Sequence, residues 1–182
     1  MNVFKFHLRY AGKLPSNGNI ESKEAVRAAL APQLAELWRR APLTGLTPEQ
    51  AAEYFTSDRH GVSFRYVVAR VVNLRCDLDI LILHGSNESP EYTTGDVDNR
   101  LKTLLDGLRT RSRNELAKAD APVDPVTGYA DVLLEDDSLV DSLRVRTEHG
   151  LALPADRDAV DVVITVTVTT SAPTYASATL GV

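Results

Sequence analysis

Apolar and polar positions alternate from the start of the chain. Residues 3–10 place Phe4, Phe6, Leu8 and Tyr10 on one side and Lys5, His7 and Arg9 on the other, the period-two pattern of a half-buried strand. After the turn-forming GKLPSNGN, the period changes: Val26, Leu30, Leu34 and Leu37 follow helical spacing, which predicts a helix over 22–38 capped by Ser22, with Trp38 as its core anchor. A second start follows at Thr47, Pro48 and Gln50. There a capping hydroxyl, a proline at the first helical position and a glutamine three residues on form a capping box, and the short helix should run to about Phe55.

Residues 62–83 read as two strands. The first is nearly continuous in apolar character and the second alternates strictly, which suggests neighbours in one sheet. A polar loop then leads to GDVDNRLKTLLDGL, where Leu101, Leu104, Leu105 and Leu108 fall on one helical face and predict a helix docked on the sheet. The segment after it has no clear period, carries Arg109, Arg111, Arg113 and Lys118, and ends in the turn-rich DAPVDPVTG, as a mobile basic loop would. Two more strands are expected, over 139–147 and 159–170, joined as a long hairpin. In the second, Val160, Val162, Ile164, Val166 and Val168 face one way. From residue 171 the tail has neither charge nor period and reads as loose. The pattern is α+β, a single domain over 1–182 with a mixed sheet and packed helices.

Composition narrows the class. A chain of 182 residues, 43% hydrophobic, has enough material for one core. It contains no apolar run of about eighteen residues and no signal-like opening, so no membrane partner is expected and a cytoplasmic protein is the default. The lone cysteine, Cys76, sits in the alternating CDLDILIL and reads as a buried strand position. The net charge of −5 argues against an evenly basic nucleic-acid-coating protein but leaves room for a local basic groove. His7, His60, His84 and His149 show no close pair with metal-ligand spacing and read as incidental.

Two acidic stretches carry the candidate chemistry: Asp96 and Asp98 before the leucine-rich helix, and Asp136 and Asp137 in LEDDSLVD. Residues i and i+2 point to one side in an extended segment but diverge by about 200° in a helix. Asp96 and Asp98 can therefore share a ligand only if the helix begins at or just after Asp98. Lys102 lies one turn beyond Asp98 on the same face. If Asp136 or Asp137 converges there, each carboxylate pair at 4 Å repels by about 4 kcal/mol at an effective dielectric near 20, and Mg²⁺ or Mn²⁺ is the natural complement.

The D-x-D-N-x-x-K run of Asp96, Asp98, Asn99 and Lys102, followed by LLDGL and by the D-D-S-x-V run of Asp136, Asp137, Ser138 and Val140, resembles the RusA-like Holliday junction resolvases, a family of crossover junction endodeoxyribonucleases. The LPSN after the first strand is also similar to a family feature. The resemblance implies a homodimer with a β-α-β-β-α-β core, to which this chain adds a C-terminal strand, read as structural, and the loose tail. It implies Mg²⁺ held by Asp96, Asp98 and Asp137 with Asp136 adjacent, Lys102 stabilising charge on the scissile phosphate, and hydrolysis by a metal-activated water leaving 5′ phosphate and 3′ hydroxyl ends. The expected partner is branched DNA, with flaps or forks, or a catalytically silent DNA-binding role on the same fold, as alternatives.

The chain departs from the family in its acidity and in a longer segment over 109–131. Its cations are concentrated locally, since Arg100, Lys102, Arg109, Arg111 and Arg113 outnumber Asp96, Asp98 and Asp106 between positions 96 and 113. Those arginines, with Arg144 and Arg146 on one side of the strand after the second acidic pair, are the candidate DNA contacts.

Overall fold

The computed structural model describes residues 2–85, 94–154, 156, 158–170, 172, 174–178 and 180. Strand β1 (Asn2–Lys13) leads to helix α1 (Ile20–Leu37), which begins two residues earlier than the leucine spacing suggests. Asn19, not Ser22, is its cap, accepting from the Ser22 amide at 3.0 Å. Helix α2 (Pro48–Phe55) forms as expected, with both halves of the Thr47–Gln50 capping box made. Then come β2 (Thr56–Arg59), β3 (Val62–Val68), β4 (Leu74–His84), α3 (Thr94–Leu108), α4 (Arg113–Leu116), β5 (Ala130–Leu134), β6 (Val140–His149), β7 (Ala159–Thr170) and α5 (Tyr175–Ala178).

The fold is α+β, and its strands form two sheets. One has the order β1-β7-β4-β6 and the other β2-β3-β5. This corrects two expectations. Strands β3 and β4 are not neighbours: a 3-10 turn at Arg70–Val72, ending on Asn73 with φ 53°, redirects the chain from one sheet to the other. Strands β6 and β7 form no hairpin either, because β4 lies between them, antiparallel to β7 and parallel to β6. The short β2 and the wholly buried β5 carry no clear signal in the sequence. β5 is an apolar run too brief to separate from its turn-rich flank, and it finds its place only by pairing parallel to β3.

Alternation decides which sheet face is covered. The even positions of β4 and β7 are almost all buried, and α1 and α3 pack on that side with Val26, Leu30, Leu34, Leu104 and Leu108. Cys76 is one of those even positions, and burial pushes its thiol up to about 12, so it acts as a small apolar side chain. Trp38 is core, edge-on to Phe55 at 5.5 Å. The tail is partly docked: Ser177 and Leu180 are buried. Among the described residues no helix is long and apolar enough to cross a membrane.

Helices α1 and α3 approach closely at Gly107, where an added Cβ would lie 2.6 Å from Val26 Cγ1. Alanine ordinarily gains about 1 kcal/mol over glycine inside a helix, whereas overpacking costs about 1–3 kcal/mol. We expect steric loss to win, so Gly107→Ala should lower the urea midpoint, and a midpoint equal to or above that of wild type would show that the helices yield.

Candidate functional site

Helix α3 begins at Thr94, four residues before Asp98. Expected to begin at or just after Asp98, the helix instead contains both positions 96 and 98, about 200° apart around its axis. The leucine stripe begins at Leu101 and reports the buried face without marking the first turn. Asp98 and Lys102 are both exposed, one turn apart, while Leu104 and Leu108 are fully buried. The side chain of Asp96 lies outside the described residues.

The second acidic pair opens a 3-10 turn, Asp137–Leu139. Asp136 caps it, accepting from the Ser138 amide at 3.0 Å, and Arg70 lies 3.5 Å away. The Ser138 hydroxyl and amide, with Arg70, hold the Asp136 carboxyl below the usual carboxylate range. Asp137 is exposed. Behind the pair, Glu135 accepts from the Arg70 amide at 2.9 Å, and beyond it Asp141 pairs with Arg75.

The two ends of α3 have different surroundings. Near its start, Arg100 reaches the Leu14 carbonyl and Asp158, at the end of the sheet where His84 faces Val160. Near its finish, Arg109 bridges to Leu134, and Leu105 shares an open hollow of about 370 Å³ with Asp137, Ser138, Val140 and Leu143. Asp98 is seven residues before Leu105, about 10 Å along the helix axis. The expected meeting of Asp98 with Asp136 or Asp137 also involves Asp96, whose side chain lies outside the described residues. Among the described residues no three His, Cys, Asp or Glu side chains are grouped to hold a metal ion. Same-side carboxylates two residues apart do occur elsewhere, at Asp77 and Asp79 of β4, both partly exposed on the face opposite the core.

The candidate DNA contacts divide. Arg100 and Arg111 are turned inward, each side chain 2% exposed, the first paired with Asp158 and the second with Glu24, so neither presents its guanidinium to a ligand. Arg109 is held by Asp106 at 2.8 Å. Arg113 and Arg144 are exposed, and Arg146 is exposed with Asp79 at 3.4 Å.

The expected mobile basic loop is pinned at its start by a second capping box, Ser112 with Glu115, and by ion pairs to α1. Arg27 of α1 donates to Glu24 at 2.6 Å, to the Asp106 carbonyl at 2.7 Å and to Glu115 at 3.2 Å, while Lys23 meets Asp106 at 2.6 Å. Burial pushes the Asp106 and Glu115 carboxyls up. Lys23 and Arg109 around the first, and Ser112 and Arg27 around the second, more than reverse that, so both lie below the ordinary carboxylate range.

Two further arrangements escape the sequence because each joins distant segments. Arg65 is bidentate to Asp131 at 2.6 and 3.0 Å and lies over the rings of Trp38 and Tyr129, at 4.7 and 5.3 Å, beside a groove of about 290 Å³ along α1. His84 and His149, expected to be incidental, stand together with ring centroids 4.5 Å apart. Burial, together with His149 and Arg100, keeps the His84 pKa below its ordinary value, against the lifting effect of the Gly85 carbonyl. Only the register of β4 against β6 reveals that pair. Comparison with family models, curated proteins and solved structures returned no match.

The ion network yields a signed expectation. Carboxyls whose folded pKa is depressed contribute stability above their unfolded pKa and lose it as pH falls. Arg27→Met should cost about 3 kcal/mol at pH 7 by leaving Glu24 and Glu115 short of a partner, and clearly less at pH 4, where Glu115 can protonate. Urea unfolding at the two pH values measures this, and an equal loss at both would assign the effect to packing.

Proposed function

We propose that the chain is a metal-dependent endodeoxyribonuclease of the RusA-like kind, acting on branched DNA with Mg²⁺ or Mn²⁺ and working as a homodimer. The observation that carries this is the exposed Asp98–Lys102 pair, one turn apart on the solvent side of α3, inside the D-x-D-N-x-x-K run. A lysine ammonium in that position meets a phosphate as a point charge. Of the candidate contacts, Lys102, Arg113 and Arg144, with Arg146 beside Asp79, are the exposed cations that could meet a DNA backbone on this reading.

The dimeric part is supported by the sheet edges. The β1 edge is occupied at Arg9, whose amide and carbonyl both bond to the Gln33 side chain, at 2.9 and 2.7 Å. β2 is only four residues long, and Arg109 bridges β5. The ten-residue β6 borders β4 on one side, and among the described residues no strand pairs with its other edge, where Leu143 is 40% exposed. A long open edge of this kind is a natural place for a second copy to add its own β6.

One finding favours a second reading, a catalytically silent DNA-binding protein on the same fold: among the described residues no three His, Cys, Asp or Glu side chains are grouped to hold a metal ion. Incubating the protein with a synthetic four-way junction, a flap and a fork in Mg²⁺ separates the two. On the primary reading the junction is cut, leaving 5′ phosphates, and both Asp98→Asn and Lys102→Ala reduce cutting at least about a hundredfold while retaining junction binding. Binding without cutting by wild type would establish the silent reading, and neither binding nor cutting would end both. Leu143→Lys should shift the chain toward monomer in sedimentation, and a wild type that is monomeric at every concentration would remove the dimer.

A further inference from the structure

Strand β1 is an outer strand, hydrogen-bonded to β7 on one side and, among the described residues, to no strand on the other. Its backbone groups alternate, one residue's amide and carbonyl facing β7 and the next residue's facing outward. Arg9 identifies the outward set. Its amide donates to Gln33 Oε1 at 2.9 Å, and its carbonyl accepts from Gln33 Nε2 at 2.7 Å. A primary amide that holds one residue by both groups makes the pair of bonds a neighbouring strand would make. Gln33 is itself steadied by α1, since Nε2 also donates to the Ala29 carbonyl at 2.9 Å. By the two-residue period, the amides and carbonyls of Lys5 and His7 point the same way as those of Arg9, and among the described residues nothing bonds to them there.

That open stretch runs beside a hollow of about 380 Å³, bounded by β1 on one side and by Glu36, Leu37 and Arg40 at the end of α1 on the other. An added strand directs alternate side chains to the two faces of the sheet. Those on the helix side meet Phe6, Leu8 and Leu37, and those on the open face come beside Lys5 and His7, whose neighbours on β7 are the uncharged Thr167 and Thr165. Lys5 is exposed, and no ion pair among the described residues engages it. Arg40 adds a second cation, offset in part by Glu36 at 3.0 Å. The charge therefore favours an acidic occupant. A second copy of β1 suits the edge less well, because pairing about a two-fold axis sets Lys5 and its neighbours against their own counterparts. Residues 3–8 also span only about 20 Å before Gln33 ends the open edge, which fits a short segment.

We propose that the outer edge of β1 at Lys5 and His7 is a docking site for an extended acidic peptide of a partner protein, added to the four-stranded sheet as a short fifth strand beside α1. Main-chain bonds hold the peptide, its apolar side chains at alternate positions seat on Phe6 and Leu37, and the carboxylates between them face Lys5. The site uses neither acidic motif and stands apart from the nuclease reading.

The probe is an acetylated and amidated peptide of about six residues that alternates glutamate and valine, titrated into the full chain at low salt. Saturable binding is expected, with hydrogen exchange slowed most at the Lys5 and His7 amides. Methylating the peptide nitrogens that face β1 should weaken binding at least about tenfold, because main-chain bonds are lost. Lys5→Glu, at an exposed position, should keep the wild-type circular dichroism, bind the glutamate peptide about fivefold more weakly and favour a lysine–valine peptide instead. Absence of saturable binding, equal binding of the methylated peptide, or an unchanged charge preference in Lys5→Glu would each overturn the proposal. So would slowed exchange at Lys5 and His7 in the free chain that grows with protein concentration, which assigns the edge to a second copy.

Discussion

The ion network between α1 and the end of α3 is the contact on which the arrangement of this protein depends. Lys23, Glu24 and Arg27 line one flank of α1, and they meet Asp106, Arg111 and Glu115 across a junction where Arg27 and Arg111 are almost fully buried. Buried ion pairs are weak sources of net stability, because desolvation consumes most of the attraction, yet removing one partner is expensive. Such a network fixes register more than it adds free energy. It sets α1 against α3 at one axial position, the position at which Gly107 can meet Val26. It also anchors the start of the chain segment that returns to β5.

That use of arginine has a cost elsewhere. The chain is already acidic, at −5, and three of its arginines, Arg27, Arg100 and Arg111, are turned inside. The exposed Lys102, Arg113 and Arg144 sit on three different elements, α3, α4 and β6. Each phosphate that a cation neutralises adds a slope of about −0.9 to the salt dependence of DNA binding, so on the proposed function a grip built from those three cations would be shallow in that slope.

Much of the local structure is legible in the sequence. The alternation in β1, β4 and β7 names the buried face of each strand correctly, the Thr47 capping box forms as written, and the α3 leucines face the core. These depend on short-range periods that a chain carries with it. The partners are not legible. Nothing near β4 says that β7 and β6, not β3, will flank it, because pairing depends on the whole assembly of apolar faces. The start of α3 is hidden for a related reason: a hydrophobic stripe reports only the turns that touch the core. The guanidinium groups of Arg100 and Arg111 look like surface charge in one dimension, since the groups that bury them, Asp158, Leu14 and Glu24, lie far away in the chain.

The position of β7 carries a consequence for how the protein is made. This late strand stands second in its sheet, hydrogen-bonded to β1 on one side and β4 on the other, and His7 meets Thr165 across 158 residues of chain. On the ribosome β1 therefore emerges without its partner, and the apolar flank of Phe4, Phe6, Leu8 and Tyr10 waits until β7, 158 residues on from His7 to Thr165, has been made. Closing so large a loop is entropically slow. β1 cannot join the four-stranded sheet until β7 has been made, and an unpaired apolar strand edge is a site for wrong pairing in the meantime.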